Sequence, residues 1–93
     1  NIDNIHVEAY AVYTNKTTTG AMRGFGAPQV CFAYESQMDD IARTVGMDPL
    51  EIRLKNAFSE GSSSPTSQSL RSVAVKESLT QASERFGWKD WKK

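Results

Sequence analysis

The spacing of apolar positions changes along the chain, and each change predicts an element. Over residues 5–13, Ile5, Val7, Ala9, Ala11 and Tyr13 recur with a period of two. That alternation predicts a strand with one buried face, the other face partly covered by Tyr10 and Val12. The polar run 14–20 ends in Gly20 and predicts a loop. From Pro28 onward the period lengthens. Val30, Tyr34, Met38, Ile41 and Val45 form one stripe at spacings of four and three, which predicts a helix opened by Pro28 and closed by Gly46. Asp48-Pro49-Leu50-Glu51 predicts a second start, with Asp48 as cap, Pro49 in the first turn and Glu51 completing a capping box. This helix should run to about Asn56 and bury Leu50 and Leu54, with Ile52 partly covered. The serine-rich stretch 59–69, with Gly61 and Pro65, predicts a flexible connector. A third helix is expected from near Ser72, with Val75, Leu79, Ala82 and Phe86 as its stripe, Gly87 as its end, and Trp88 and Trp91 packed against it.

The expected fold class is α+β: strand, loop, then three helices. A strand needs neighbours to pair its backbone and cover its face. A single strand-like segment in 93 residues therefore predicts a partial domain cut from a larger one. Its expected parts are residues 1–27 (strand and ligand-facing loop), 28–57 (two helices), 58–71 (flexible connector) and 72–93 (C-terminal helix and tail).

Charge and composition narrow the possible chemistry. Eleven basic and eleven acidic residues cancel, so nothing electrostatic favours nucleic acid or an anionic membrane as partner. Lys89, Lys92 and Lys93 around Trp88 and Trp91 read as a solvated basic tail. Cys31 is the one cysteine and His6 the one histidine. That excludes an intrachain disulfide, a cysteine zinc site and most nucleophile–histidine arrangements. A reducing compartment, the cytoplasm, is the expected location. No run is long and apolar enough for a membrane span.

The richest candidate for chemistry is Gly20-Ala-Met-Arg-Gly-Phe-Gly26. Its glycines let the backbone bend and approach a ligand closely. It leads into a helix N-terminus, where free N–H groups and the helix dipole favour anions. Arg23 adds a fork of donors suited to oxyanions, and Phe25 can offer a ring face to a planar ligand. A plain connector before a helix shares all these features, and neither a Walker A loop nor a dinucleotide fingerprint is present. Glu35, Asp39 and Asp40 read as a solvated helix face, with Glu35 nearer the apolar stripe and partly buried. Cys31 reads as a small core residue, and His6 as a surface residue on the outward side of the strand.

Ala11-Val-Tyr-Thr-Asn15, Gly20-Ala-Met-Arg-Gly-Phe-Gly-Ala-Pro-Gln29, Phe32-Ala-Tyr-Glu35, Asp39-Asp-Ile-Ala42, Gly46-Met-Asp-Pro-Leu-Glu-Ile-Arg53 and Lys55-Asn56 together resemble the xanthine dehydrogenase/aldehyde oxidase family, in its molybdopterin-binding subunit. The match runs in order over residues 5–56. Further on, Pro65, Thr66 and Gln68 resemble the family's Pro-Thr-Gly-Gln turn with Ser67 in place of glycine, and Gly87-Trp88 resembles the end of its next helix.

The resemblance implies a molybdenum–molybdopterin cofactor and hydroxylation of a nitrogen heterocycle, such as a purine, with oxygen taken from water. An aldehyde oxidoreductase, or a non-catalytic binding module that keeps the fold, is the alternative. It also implies iron–sulfur clusters and FAD on other domains or subunits, which with the rest of the molybdenum subunit would be the partners. By the family pattern, Met22, Arg23 and Gly24 would face the cofactor, with Arg23 near molybdenum without ligating it, and Phe25 would contact the substrate ring. The family's glutamate base, its upstream glycine-phenylalanine-glycine loop and its cluster cysteines have no match here. No catalytic residue is therefore assigned, and the chain alone is expected to be inactive and to bind no cofactor.

Overall fold

The computed structural model describes residues 4–91. Asn1 to Asp3, at the head of the expected strand-and-loop unit, and Lys92 and Lys93 of the basic tail lie outside the described residues. Among the described residues four helices follow one another: α1 (Ala27–Thr44), α2 (Pro49–Asn56), α3 (Val75–Phe86) and the single turn α4 (Trp88–Trp91).

Local chemistry explains where the helices begin and end. The end of α1 has two bonds of a left-handed C-terminal cap: Met47 N–H donates to Ala42 O at 2.8 Å and Gly46 N–H to Arg43 O at 3.3 Å. That closure requires a positive φ at Gly46, which sits at 66°. Asp48 then starts α2, its carboxylate accepting from the N–H groups of Leu50 at 2.7 Å and Glu51 at 3.3 Å. Gly87, at φ 72°, ends α3 in the same left-handed way.

Three expectations need correction. First, residues 4–14 form no strand ladder, and among the described residues the only bridge is the isolated pair Ser63–Ser69. Alternation supplies a face but no partner, and none of the other described segments lies alongside to exchange backbone bonds. Second, α3 begins at Val75, not near Ser72. Ser72 is held at φ 58°, and the N–H groups of Ser72 and Val73 donate to the Glu60 carboxylate at 3.2 and 3.0 Å, so the chain is still in a turn there. Third, Ile52 is the buried residue of α2, while Leu50 and Leu54 are half-buried.

The connector has structure of its own. Ser67 N–H donates to Ser64 O at 2.9 Å, Ser64 N–H to Gln68 O at 2.9 Å and Leu70 N–H to Ser62 O at 2.9 Å. This is a short hairpin in which a tight turn at Pro65-Thr66 is followed by a left-handed residue, Ser67 at φ 61°. The resemblance placed a glycine at that position, and the backbone angle supplies the reason.

Only Ala42 and Ile52 are buried among the described residues. The radius of gyration is 17.1 Å, against about 12 Å for a compact domain of this length. The accessible surface is 8657 Å², against roughly 5,400 Å² for a folded monomer of this mass. The apolar stripes thus lie largely uncovered: Val30, Tyr34, Val45, Val75 and Phe86 are exposed. Cys31 is exposed too, a correction to its reading as a core residue. Phe86, Trp88 and Trp91 form a ring cluster, with the indoles stacked at 5.9 Å between centroids.

Candidate functional site

The glycine-rich segment folds into two tight turns set directly before α1. Phe25 N–H donates to Met22 O at 2.8 Å, and Ala27 N–H donates to Gly24 O at 2.8 Å. Three consecutive residues have positive φ: Gly24 at 92°, Phe25 at 46° and Gly26 at 90°. Glycine adopts this region freely, whereas an L residue with a side chain loses roughly 1–2 kcal/mol there. Phe25 is therefore the strained member, and strain of this kind concentrates where a side chain must be aimed.

No packing accounts for that conformation. Phe25 is 85% exposed and Met22 79%, and Arg23 is exposed as well. Gly24 meets Pro28 closely: a Cβ built on Gly24 would lie 3.1 Å from Pro28 Cδ. No side chain caps the N-terminus of α1; Ala27 N–H is turned back to Gly24 O and Pro28 has no N–H to give, so the turn's donor toward solvent is the Arg23 guanidinium, beside the Phe25 ring. Donors of this type suit an anionic group on a flat organic molecule. Among the described residues no group of three or more His, Cys, Asp or Glu is placed to hold a metal ion.

Glu35 and Asp39 do more than face solvent. Arg53, from α2, donates through Nε to Glu35 Oε2 at 2.8 Å and through a terminal nitrogen to Asp39 Oδ1 at 2.8 Å. It also reaches the carbonyls of Glu35 at 3.0 Å and Pro49 at 2.9 Å. Burial pulls the guanidinium's pKa down, but the bonds and charges of Asp39 and Glu35 outweigh it and leave the pKa raised. Arg53 is thus a structural clamp that fixes α2 against α1, the helix whose N-terminus carries the turn. Asp40, by contrast, pairs one turn along its own helix with Arg43 at 2.8 Å, in solvent. Arg53 was absent from the sequence-derived candidates; the signal was a pair of carboxylates four apart on α1 facing an arginine on the next helix.

His6 is exposed, as are its neighbours in the extended segment; it bonds Glu8 at 2.9 Å, and Glu8 also accepts from the Tyr10 hydroxyl at 2.8 Å. These two bonds, His6 first and Tyr10 second, lower the pKa of Glu8. Trp88 Nε1–H points to both carboxylate oxygens of Asp48 at 3.2 Å, so the α2 cap also ties down the C-terminal aromatic cluster.

Residues 1–57 match the family model of the molybdopterin cofactor-binding domain. A xanthine dehydrogenase molybdenum-binding subunit of Escherichia coli O157:H7 is 49% identical over 77 residues, 82% of this chain and 10% of that protein. The nicotinate dehydrogenase large molybdopterin subunit of Eubacterium barkeri is 44% identical over 85 residues, 90% of this chain and 20% of the relative. The aldehyde oxidoreductase of Megalodesulfovibrio gigas is 41% identical over 86 residues, 92% of this chain and 10% of the relative. The chain belongs to the molybdopterin cofactor-binding domain family. It spans between 10% and 20% of the length of these three relatives.

Proposed function

We propose that this chain forms one wall of the molybdenum-cofactor site in an oxidoreductase that hydroxylates a nitrogen heterocycle. The observation that carries the reading is the turn before α1, which leaves Met22, Arg23 and Phe25 exposed, with Phe25 held on a left-handed backbone between two glycines. Arg23 and the backbone at Met22 and Gly24 would hold the cofactor's anionic parts, with Arg23 near the metal but not a ligand to it. Phe25 would lie against the substrate ring and orient it. When bound, the cofactor supplies the redox chemistry, and the protein positions and shields it.

Two of the three relatives are named for heterocycles, xanthine and nicotinate, which supports a ring substrate such as a purine. In the full-length protein the alternating segment 5–13 would pair as a strand, residues 28–57 and 72–93 would pack under further layers, and residues 58–71 would connect them. Electrons would pass to iron–sulfur and flavin domains or subunits. No helix of the described residues is long and apolar enough to cross a membrane.

The test is steady-state turnover of the full-length holoenzyme on xanthine, nicotinate and an aromatic aldehyde, with Phe25→Ala and Arg23→Ala alongside. Heterocycle turnover should dominate. Phe25→Ala should lower it on the order of 100-fold with metal retained, the scale expected when a substrate is misplaced. Arg23→Ala should lower molybdenum occupancy instead. Preference for the aldehyde would favour the relationship to the Megalodesulfovibrio enzyme. Unchanged kinetics in Phe25→Ala would remove the substrate-wall assignment.

A further inference from the structure

We infer that Pro28 is a positioning residue that holds Phe25 in its outward, left-handed presentation; its catalytic consequence rests on the reading of Phe25 as a substrate wall. A phenylalanine at φ 46° between glycines at 92° and 90° needs something to keep it there. Side-chain packing does not, because Phe25 is 85% exposed. Two backbone bonds do part of the work, Phe25 N–H to Met22 O and Ala27 N–H to Gly24 O, both 2.8 Å. Pro28 supplies the rest. Its ring lies over Gly24, with Cδ 3.1 Å and Cγ 3.4 Å from the place a side chain would occupy. The ring is itself fixed, since proline locks its own φ and sits in the first turn of an 18-residue helix. The path of restraint therefore runs from α1 through Pro28 and Gly24 to Phe25. Helix α1 is in turn tied to α2 by Arg53, so the ring is aimed from a braced support. The proline thus has a role beyond starting the helix.

The test uses the full-length holoenzyme with Pro28→Ala, Phe25→Ala and the double variant. Pro28→Ala should keep its metal content and thermal midpoint and lose about tenfold in kcat/KM, mostly in kcat, a fraction of the ~100-fold that gross misplacement brings. Deuterium uptake in the 22–28 peptide should quicken. In the Phe25→Ala background, Pro28→Ala should change kcat/KM by less than about twofold, because it acts through a ring no longer present. A tenfold loss that persists in that background overturns the proposal, as does unchanged uptake in Pro28→Ala. A silent Phe25→Ala sinks the substrate-wall reading alone, since uptake still decides whether Pro28 holds the turn. Gly26→Ala is the second variant: its methyl meets nothing within 4 Å, so it acts through the backbone angle alone. It should show the same uptake and kinetic pattern if Pro28→Ala does not fold. Loss of folded, metal-loaded protein in both variants would make the turn a folding element and overturn the proposal.

Discussion

Residues 27–56 and residues 4–26 are held together in opposite ways. In the first region, side chains bond across elements: Arg53 of α2 grips Glu35 and Asp39 of α1, and Asp48 caps α2 while receiving Trp88 from beyond α3. In the second region the bonds join near neighbours along the chain, His6 to Glu8, Tyr10 to Glu8 and Phe25 to Met22. The region that carries the candidate site is therefore shaped by backbone geometry and left open to whatever lies against it. The bracing is placed one helix away. A binding wall built this way separates two demands. The support must be rigid, while the residues that meet a ligand must stay uncovered until it arrives.

The largest effect should come from Arg53. Its side chain is 22% exposed and makes two charged and two carbonyl bonds. Bonds to charged groups contribute about 1.5–3 kcal/mol each when buried, and solvent around Glu35 and Asp39 reduces that. Arg53→Ala should then destabilise the chain by about 3 kcal/mol, measured by urea unfolding followed by indole fluorescence. Arg53→Lys should recover less than half, because an ammonium cannot reproduce the planar fork. Since the pKa of Arg53 is raised, the part of its contribution tied to its own charge is present below its ordinary value and is lost as pH rises through the raised folded value. A loss below about 1 kcal/mol in Arg53→Ala would erase the contrast between the two regions.

Asp48→Ala comes next. It removes a helix cap, worth about 0.5–2 kcal/mol, and an acceptor for Trp88. A loss of about 2 kcal/mol is expected, with a change in the indole emission. Trp88→Phe should reproduce only the part due to the lost N–H bond, about 1 kcal/mol. Equal losses in the two variants would mean that the cap itself contributes nothing.

The contrast also explains what could be read from the sequence. Helix ends were legible because their causes are local: Asp48 before Pro49, Gly46 after α1 and Gly87 after α3 each act within a few residues. The Arg53 clamp was not, because Glu35 lies 18 residues away and the pairing depends on how two helices cross. The alternation of residues 5–13 states which face a strand would bury, but a ladder needs a partner that period alone cannot name. At the turn, the glycines flanking Phe25 were visible, and so was their freedom to bend. That the phenylalanine itself takes a positive φ was not, since propensity argues against it. The same blindness affected Ser67, whose left-handed angle explains the glycine expected there.

Ser67 provides a smaller test of local restraint. Ser67→Gly places the residue suited to φ 61° in the hairpin. Relief of the left-handed penalty, roughly 1–2 kcal/mol per residue, is partly offset by the greater freedom of glycine when unfolded. A net gain of about 0.5–1 kcal/mol is expected, seen as slower amide exchange at Ser64 and Gln68. Faster exchange would show that the serine side chain stabilises the turn in a way its backbone angle does not.

The smallest effect lies at the far end of the open region, where Glu8 stands between His6 and Tyr10. His6 is the larger cause of its lowered pKa and Tyr10 the smaller. The sign follows from the direction. A carboxylate whose folded value lies below its ordinary 4.5 contributes fully above 4.5 and loses that contribution as pH falls through the lower folded value. Because the group stands in solvent, the contribution to stability should be too small to see in unfolding, and the place to look is the titration of the Glu8 side-chain carbon by NMR. Its midpoint should sit below 4.5, move up toward 4.5 in His6→Ala, and move less in Tyr10→Phe. The order of the two variants is the discriminating feature, since a general field from distant charges would treat them alike. If neither variant moves the midpoint, the bonds along this segment do not form in solution, and residues 4–13 are held by even less than the contrast with the Arg53 clamp assigns to them.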